Sequence, residues 1–201
     1  MIYSFLAFFI LVATTTIGSL VPMNIINQHS KDYSCTEMAL INEDLKNIDQ
    51  LVFRGTKPSK APFYVATAGG PGACKSTTLE TILHEDPSFQ NAVYIDPDPQ
   101  SLRLMINTYL TKSLSFYTIS KKESFAKAQM DAYNYWRGGS NYIACTLLNK
   151  AFDKKFNIAH GGTSTSPAVE NLYKTLKAKG YKIYLVLCYA EPETRASAIA
   201  H

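Results

Sequence analysis

The apolar positions of this chain change their spacing along its length, and each change marks an element. Residues 63–68 are a short, mostly apolar run headed by the strand formers Phe63, Tyr64 and Val65. Leu79, Ile82 and Leu83 then follow at i, i+3, i+4 spacing, which predicts a helix over about 75–84. A second short strand is predicted at Ala92–Ile95, and helical spacing returns over 100–111, 123–135 and 141–152. A third strand, Phe156–Ala159, precedes a loop from His160 to Pro167. Residues 168–179 read as a helix that Gly180 closes as a C-terminal cap. Tyr181–Tyr189 is a nearly continuous apolar strand, of the kind a parallel sheet buries on both faces. Strands alternating with helices predict βαβ units, hence an α/β fold with a doubly wound, mostly parallel sheet flanked by helices. Upstream, residues 24–61 are polar and mixed, with a short helical pattern around Met38, Leu40, Ile41, Leu45 and Ile48 and a linker from Arg54 to Pro62. The expected division is a hydrophobic segment over 1–22, a polar extension and linker over 23–61, and the α/β domain over 62–201.

The boundary between the first strand and its helix carries the chemistry. Gly69, Gly70, Pro71, Gly72, Ala73, Cys74, Lys75, Ser76 and Thr77 follow the strand as a glycine-rich turn that opens a helix. Glycines let backbone N–H groups converge on phosphate oxygens, and a helix start adds free donors and positive dipole character. In the pattern G-x-x-x-x-G-K-[ST], a lysine reaches the β- and γ-phosphates and a hydroxyl holds magnesium. Gly69, Lys75 and Ser76 fill their places, while Cys74 stands where the pattern has its second glycine. The reading is a P-loop (Walker A) for a nucleoside triphosphate with Mg2+, ATP or GTP. A plain Gly-Pro-Gly turn between strand and helix is the other reading of the same residues. Cys74 reads first as a small inert spacer; the other reading is a reactive thiol, because a helix N-terminus and the neighbouring Lys75 both favour a thiolate, and its modification would then block nucleotide binding.

Bulk properties narrow the partners. With 46% hydrophobic and 18% charged residues the chain is globular, not disordered. A net charge of +4 without a dense basic run gives no support for nucleic-acid binding. Cys35, Cys74, Cys145 and Cys188 are scattered without CxxC spacing, which supports neither zinc nor a disulfide framework. Ile2 to Val21 has no charged side chain and is long enough to span a bilayer as a helix. It lacks a basic n-region and a small-x-small cleavage site. A nucleotide-using domain works in the cytosol, so an uncleaved anchor with the domain in the cytoplasm, or a misassigned start with Met23 as first residue, is expected before a cleaved export signal.

Ligands of open parallel sheets bind outside the carboxyl ends of the strands, so three loops are expected to converge. Asp96 ends the second strand, where a carboxylate takes a proton from an acceptor hydroxyl or helps hold magnesium; Asp98 is the second candidate for the metal. Both aspartates also read as turn residues set by Pro97 and Pro99. His160, Gly161, Gly162 and Thr163 follow the third strand, and His160 either binds substrate or caps the turn. Tyr133, Tyr135 and Trp136 flank Arg137, which suits an acceptor wall with an arginine clamp; core packing is the competing role for these aromatics.

Four segments together resemble the zeta toxin family of P-loop kinases, from about Tyr64 to the C-terminus. They are the loop GGPGACKST, the strand and acids VYIDPD, the strand and turn NIAHGGT, and the passage LKAKGYKIYLVLCYAEPE. The resemblance implies transfer of the ATP γ-phosphate to a hydroxyl of a small molecule, in several family members on a UDP-linked N-acetyl amino sugar. It implies Lys75 on the phosphates, Ser76 on magnesium, Asp96 as the acceptor-activating acid, Thr163 as the turn hydroxyl, and an antitoxin-like protein as a partner. Two departures accompany it. The family has an acid where this chain reads His160, Gly161 and Gly162. The chain also stops at His201, where the family continues with an arginine-bearing lid, and only Arg195 lies nearby. The expectation is therefore a kinase with Lys75 and Asp96 in its chemistry, set against a catalytically impaired nucleotide-binding remnant, an interaction module of the same fold, or a membrane-tethered interaction protein.

Overall fold

The computed structural model describes residues 18–119, 125–162, 164, 168–193 and 195. The chain enters through Val21, whose backbone is held at both N–H and C=O by the Asn149 side chain. Helix α1 (Met23–Ser30) and helix α2 (Cys35–Val52) follow. Ser34 starts α2 with a reciprocal capping box to Glu37, which satisfies two donors that a helix end otherwise leaves free. The α2 positions Met38, Ile41, Leu45, Ile48 and Val52 recur every three or four residues and all join the main core. Asp44, fully buried, accepts from Asn107 N and Nδ2 and from Thr108 Oγ1, so its charge is compensated by three hydrogen bonds. What reads in the sequence as a polar stretch with a short helical pattern is thus two helices that help enclose the core.

Strand β1 (Phe63–Ala68) leads through the glycine-rich turn into α3 (Lys75–Glu85), then comes β2 (Ala92–Ile95). The predicted helix over 100–111 is replaced by two wide helical turns, Pro97–Leu102 and Ile106–Leu110, before α4 (Thr111–Ile119). Helices predicted separately over 123–135 and 141–152 are one helix, α5 (Phe125–Asp153), running through Gly138 and Gly139. Strand β3 (Asn157–His160), α6 (Ala168–Ala178) and β4 (Lys182–Leu187) complete the order. Gly180 adopts a φ of 90° after α6, and hydrogen bonds from Gly180 N to Lys177 O and from Tyr181 N to Leu176 O form the Schellman cap that the sequence predicts.

The four strands form a parallel sheet in the order β2-β3-β1-β4, with helices on both faces, the predicted α/β architecture. One core lies between the sheet and α2, α5 and α6, around Tyr64, Ile158, Leu147 and Leu176. A smaller one, Val65, Leu79 and Ala159, lies under α3. One expectation fails here. β4 is an edge strand, and Leu185 and Leu187 are exposed, so it is not covered on both faces. Because every strand runs the same way, the ends of β1, β2 and β3 meet along one rim.

Candidate nucleotide-binding cleft

Along that rim lies a cleft of about 650 Å³, lined by Pro71 to Thr77, by Asp96 to Asp98, by Arg137 and by His160 to Gly162. The three loops expected to converge do so, and Arg137 joins them from α5. Gly69 and Gly70 precede the lining residues in the loop. A Cβ on Gly69 would overlap the Cys188 carbonyl oxygen, so glycine permits the close approach of β1 and the end of β4. Cys74 caps α3 with φ 51° and ψ 32°, the left-handed conformation that the pattern's glycine supplies without strain. Its side chain is exposed.

Lys75 Nζ donates to the Gly70 carbonyl oxygen at 2.8 Å, folding the side chain back over its own loop. Ser76 Oγ donates to Asp96 Oδ2 at 3.2 Å, which links the start of α3 to the end of β2. Tyr94 also donates to Oδ2, and Asp98 N–H donates to Oδ1. Asp96 is 4% exposed, and burial pushes its carboxyl above the usual range against the opposing pull of Ser76, His160, Tyr94 and Arg137. His160 has Nδ1 2.6 Å from the Tyr64 hydroxyl. Burial pushes the His160 imidazole down to about 4, despite Asp96, so it is neutral near physiological pH. Asp98 is tied up elsewhere: it forms an ion pair with Arg137 and accepts from the Tyr133 hydroxyl at 3.2 Å.

Gly161 accounts for the missing acid in the β3 turn. A Cβ at 161 would overlap the Asp96 carboxylate. The space a side chain would need is filled by the Asp96 carboxylate, just past the end of β2. Thr163 lies outside the described residues, as does the hydrophobic segment up to residue 17. No helix among the described residues is long and apolar enough to cross a membrane.

The zeta toxin family model matches residues 49–200. The chain belongs to the zeta toxin family. A solved structure from the characterisation of the PezAT chromosomal toxin-antitoxin system of the human pathogen Streptococcus pneumoniae aligns with TM-score 0.63 at 24% identity, covering 84% of this chain and 62% of that one. That likeness supports the fold. Two structures of AvrRxo1-ORF1 with AvrRxo1-ORF2, one with ATP and one with sulphate ions, align more distantly. Their TM-scores are 0.48 and 0.46 at 13% and 12% identity, covering 90% and 92% of this chain and 55% of each of theirs. The chain thus spans less than two thirds of the length of these structures. Comparison with curated proteins gives no match.

Within this zeta toxin cleft, several residues escaped sequence reasoning. Arg195 Nε donates to the Pro71 carbonyl oxygen at 3.0 Å, and its guanidinium lies over Gly70. The sequence places Arg195 near the end of the chain but says nothing of its return to the loop. Ser140 Oγ donates to the Pro97 carbonyl oxygen and so anchors the turn that carries Asp96 and Asp98. A second cleft of about 350 Å³ shares Ser76 and Asp98 with the first and opens toward Leu102, Arg103, Tyr109, Gln129 and Tyr133. Only Tyr133 of these gave a signal, through its place beside Arg137.

Proposed function

We propose that the protein is an ATP-dependent phosphotransferase acting on a hydroxyl of a small molecule. The observation that carries this reading is the joint placement of Lys75, Ser76, Asp96 and Arg137 on one cleft at the carboxyl ends of parallel strands. In this reading the backbone of the 69–76 loop and Lys75 bind the triphosphate. The acceptor oxygen bonds to the γ-phosphorus, the bond from that phosphorus to the β,γ-bridging oxygen breaks, and ADP carries away the electron pair. The acceptor's proton passes to Asp96, whose raised pKa makes it a stronger base than an ordinary aspartate. Arg137 faces the developing negative charge.

As the alternative to proton acceptance by Asp96, Ser76 and Asp96 together suit magnesium. They are hard oxygen donors 3.2 Å apart, and no cluster of three or more His, Cys, Asp or Glu stands among the described residues to form an all-protein cage. That is the arrangement Mg2+ accepts when phosphates and water complete its shell. Bound there it would offset phosphate charge. Asp98, the second candidate for the metal, is engaged by Arg137 and Tyr133.

The second cleft is the proposed acceptor site. Arg103 offers a cation beside the aromatic residues Tyr109 and Tyr133, which suits a nucleotide-linked sugar of the UDP-N-acetyl amino sugar class. A toxin-antitoxin system is what the PezAT structure describes, and an antitoxin-like protein is proposed as a partner here. A nucleotide-binding module without transfer is the second reading; the acid-free β3 turn favours it. The test mixes the purified chain with labelled ATP, magnesium and a panel of UDP-sugars, with Lys75→Ala as control. Transfer that disappears in the control supports the kinase, and nucleotide binding without transfer supports the module.

A further inference from the structure

Helix α5 carries two interior glycines, Gly138 and Gly139. Each costs a helix about 1 kcal/mol relative to alanine, so their presence calls for a reason. A Cβ on Gly138 would lie 2.7 Å from the His29 carbonyl oxygen, and one on Gly139 would lie 3.0 Å from Ile41 Cδ1. The glycines admit the last turn of α1, Tyr33 of the joining segment and Ile41 of α2.

Tyr33 enters through that opening. Its hydroxyl donates to the Tyr135 carbonyl oxygen at 2.8 Å and accepts from Gly139 N–H at 2.9 Å. In an α-helix those two groups are the acceptor and donor of a single i→i−4 step. The hydroxyl therefore bridges one step of the α5 ladder, and Arg137 lies midway within it. The Tyr33 ring stacks on Trp136 with centroids 5.4 Å apart and planes inclined by 6°. The Tyr135 hydroxyl donates to Glu37, the same carboxylate that closes the Ser34 capping box. The start of α2 thus grips residues 135, 136 and 139 together.

The other side of this turn faces the cleft. Arg137 pairs with Asp98, Tyr133 donates to Asp98, and Ser140 donates to Pro97. A side chain set into a helical ladder controls the local course of the helix.

We propose that Tyr33 is a positioning residue: by bridging Tyr135 and Gly139 it sets the turn of α5 that presents Arg137 to Asp98 and the cleft. Residues 29–41 lie ahead of the family-matched region, 49–200, yet they hold one wall of the site. Its effect on ligands rests on the proposed nucleotide reading of the cleft, whereas the clamp itself does not.

The test uses the full chain with Tyr33→Phe, which keeps the ring and loses both hydrogen bonds. In nucleotide-free protein, amide exchange over residues 135–141 is expected to quicken about tenfold, from the loss of roughly 1–2 kcal/mol of local hydrogen bonding, while residues 75–85 are unchanged. Emission from Trp136, the chain's single tryptophan, is expected to shift with it. Mg-ATP affinity by calorimetry is expected to fall about three- to tenfold in the Arg137 chain and not to fall further in Arg137→Ala. Unchanged exchange over 135–141, or an equal affinity loss with and without Arg137, overturns the proposal. Should Tyr33→Phe fail to fold, Glu37→Ala is measured in the same way. If no variant takes up Mg-ATP, the nucleotide reading fails and the exchange rates alone decide the clamp.

Discussion

Asp96 is held at 4% exposure, its two oxygens receiving hydrogen bonds from Ser76, Tyr94 and the Asp98 amide, yet burial still lifts its pKa above the ordinary 3.8. The native state therefore keeps a proton where the unfolded chain has released it. Asp96 supports folding fully below about pH 4 and withdraws that support as pH rises through its native pKa. Asp96→Asn removes the charge at constant shape. The variant is expected to melt about 2–5 °C above the parent near pH 7, with the gap closing toward pH 4; under the proposed kinase reading, transfer is also expected to fall by about 10²–10⁴. Melting curves across that range decide the first part; equal melting near pH 7 would mean that the three hydrogen bonds outweigh desolvation. Cys74 gives a second expectation. Left-handed backbone costs a non-glycine residue about 1–2 kcal/mol, partly offset by the entropy glycine loses on folding. Cys74→Gly is expected to stabilise the protein by about 0.5–1 kcal/mol in urea and, under the proposed nucleotide reading, to leave nucleotide affinity equal or tighter. At this scale the sequence is informative wherever residue type and strand end coincide. Lys75, Ser76, Asp96 and Asp98 are legible because βαβ order puts them on one rim. That Asp96 fills the space above Gly161 is not legible, because a space shared by residues 65 positions apart leaves no local trace.

The elements divide between those set by local chemistry and those set by partners. The strands β1 to β3, α3 and the α6 cap follow from apolar runs, the glycine turn and Gly180. The long α5 does not, because Gly138 and Gly139 are helix-weakening residues that read locally as a break. They continue the helix because Tyr33, His29 and Ile41 occupy the room they leave. This reverses the usual outcome of a helix substitution. On propensity alone, alanine for an interior glycine stabilises by about 1 kcal/mol. Here a Cβ on Gly138 would meet the His29 carbonyl oxygen at 2.7 Å, a backbone atom that cannot rotate away. Gly138→Ala is therefore expected to destabilise by about 1–3 kcal/mol, the range for overpacking. Urea denaturation checks the sign; a gain in stability would show that the last turn of α1 yields easily. The stretch over 100–111, helical as its spacing predicts but wound wide and broken at Met105, has the same origin. Its apolar spacing is helical, but Asp96 accepts the first turn's amide at Asp98 and buried Asp44 takes Asn107 and Thr108, so the backbone forms wide turns around two carboxylates.

Across the whole molecule, stability and family membership do not follow the same residues. The family match begins at residue 49, yet Ile41, on the unmatched side of that limit, is 0% exposed and belongs to the main core. Leu187 lies inside the match on β4, at the edge of the sheet, and is 78% exposed. If burial governs, two aliphatic side chains of similar size should behave oppositely to what the family boundary suggests. Ile41→Ala removes buried methyl groups beside Gly139 and leaves a cavity, for which a loss of about 2–5 kcal/mol is expected. Leu187→Lys alters a side chain already in solvent and should change stability by less than about 0.5 kcal/mol. Paired urea titrations of the two variants, with matched slopes to confirm the same unfolded state, provide the comparison. A large loss from Leu187→Lys would mean that another surface covers β4 in solution, through self-association or a bound partner, and its dependence on protein concentration would separate these two. A negligible loss from Ile41→Ala would detach α2 from the cooperative unit, and with it the hold that Tyr33 and Glu37 exert on the wall of the cleft.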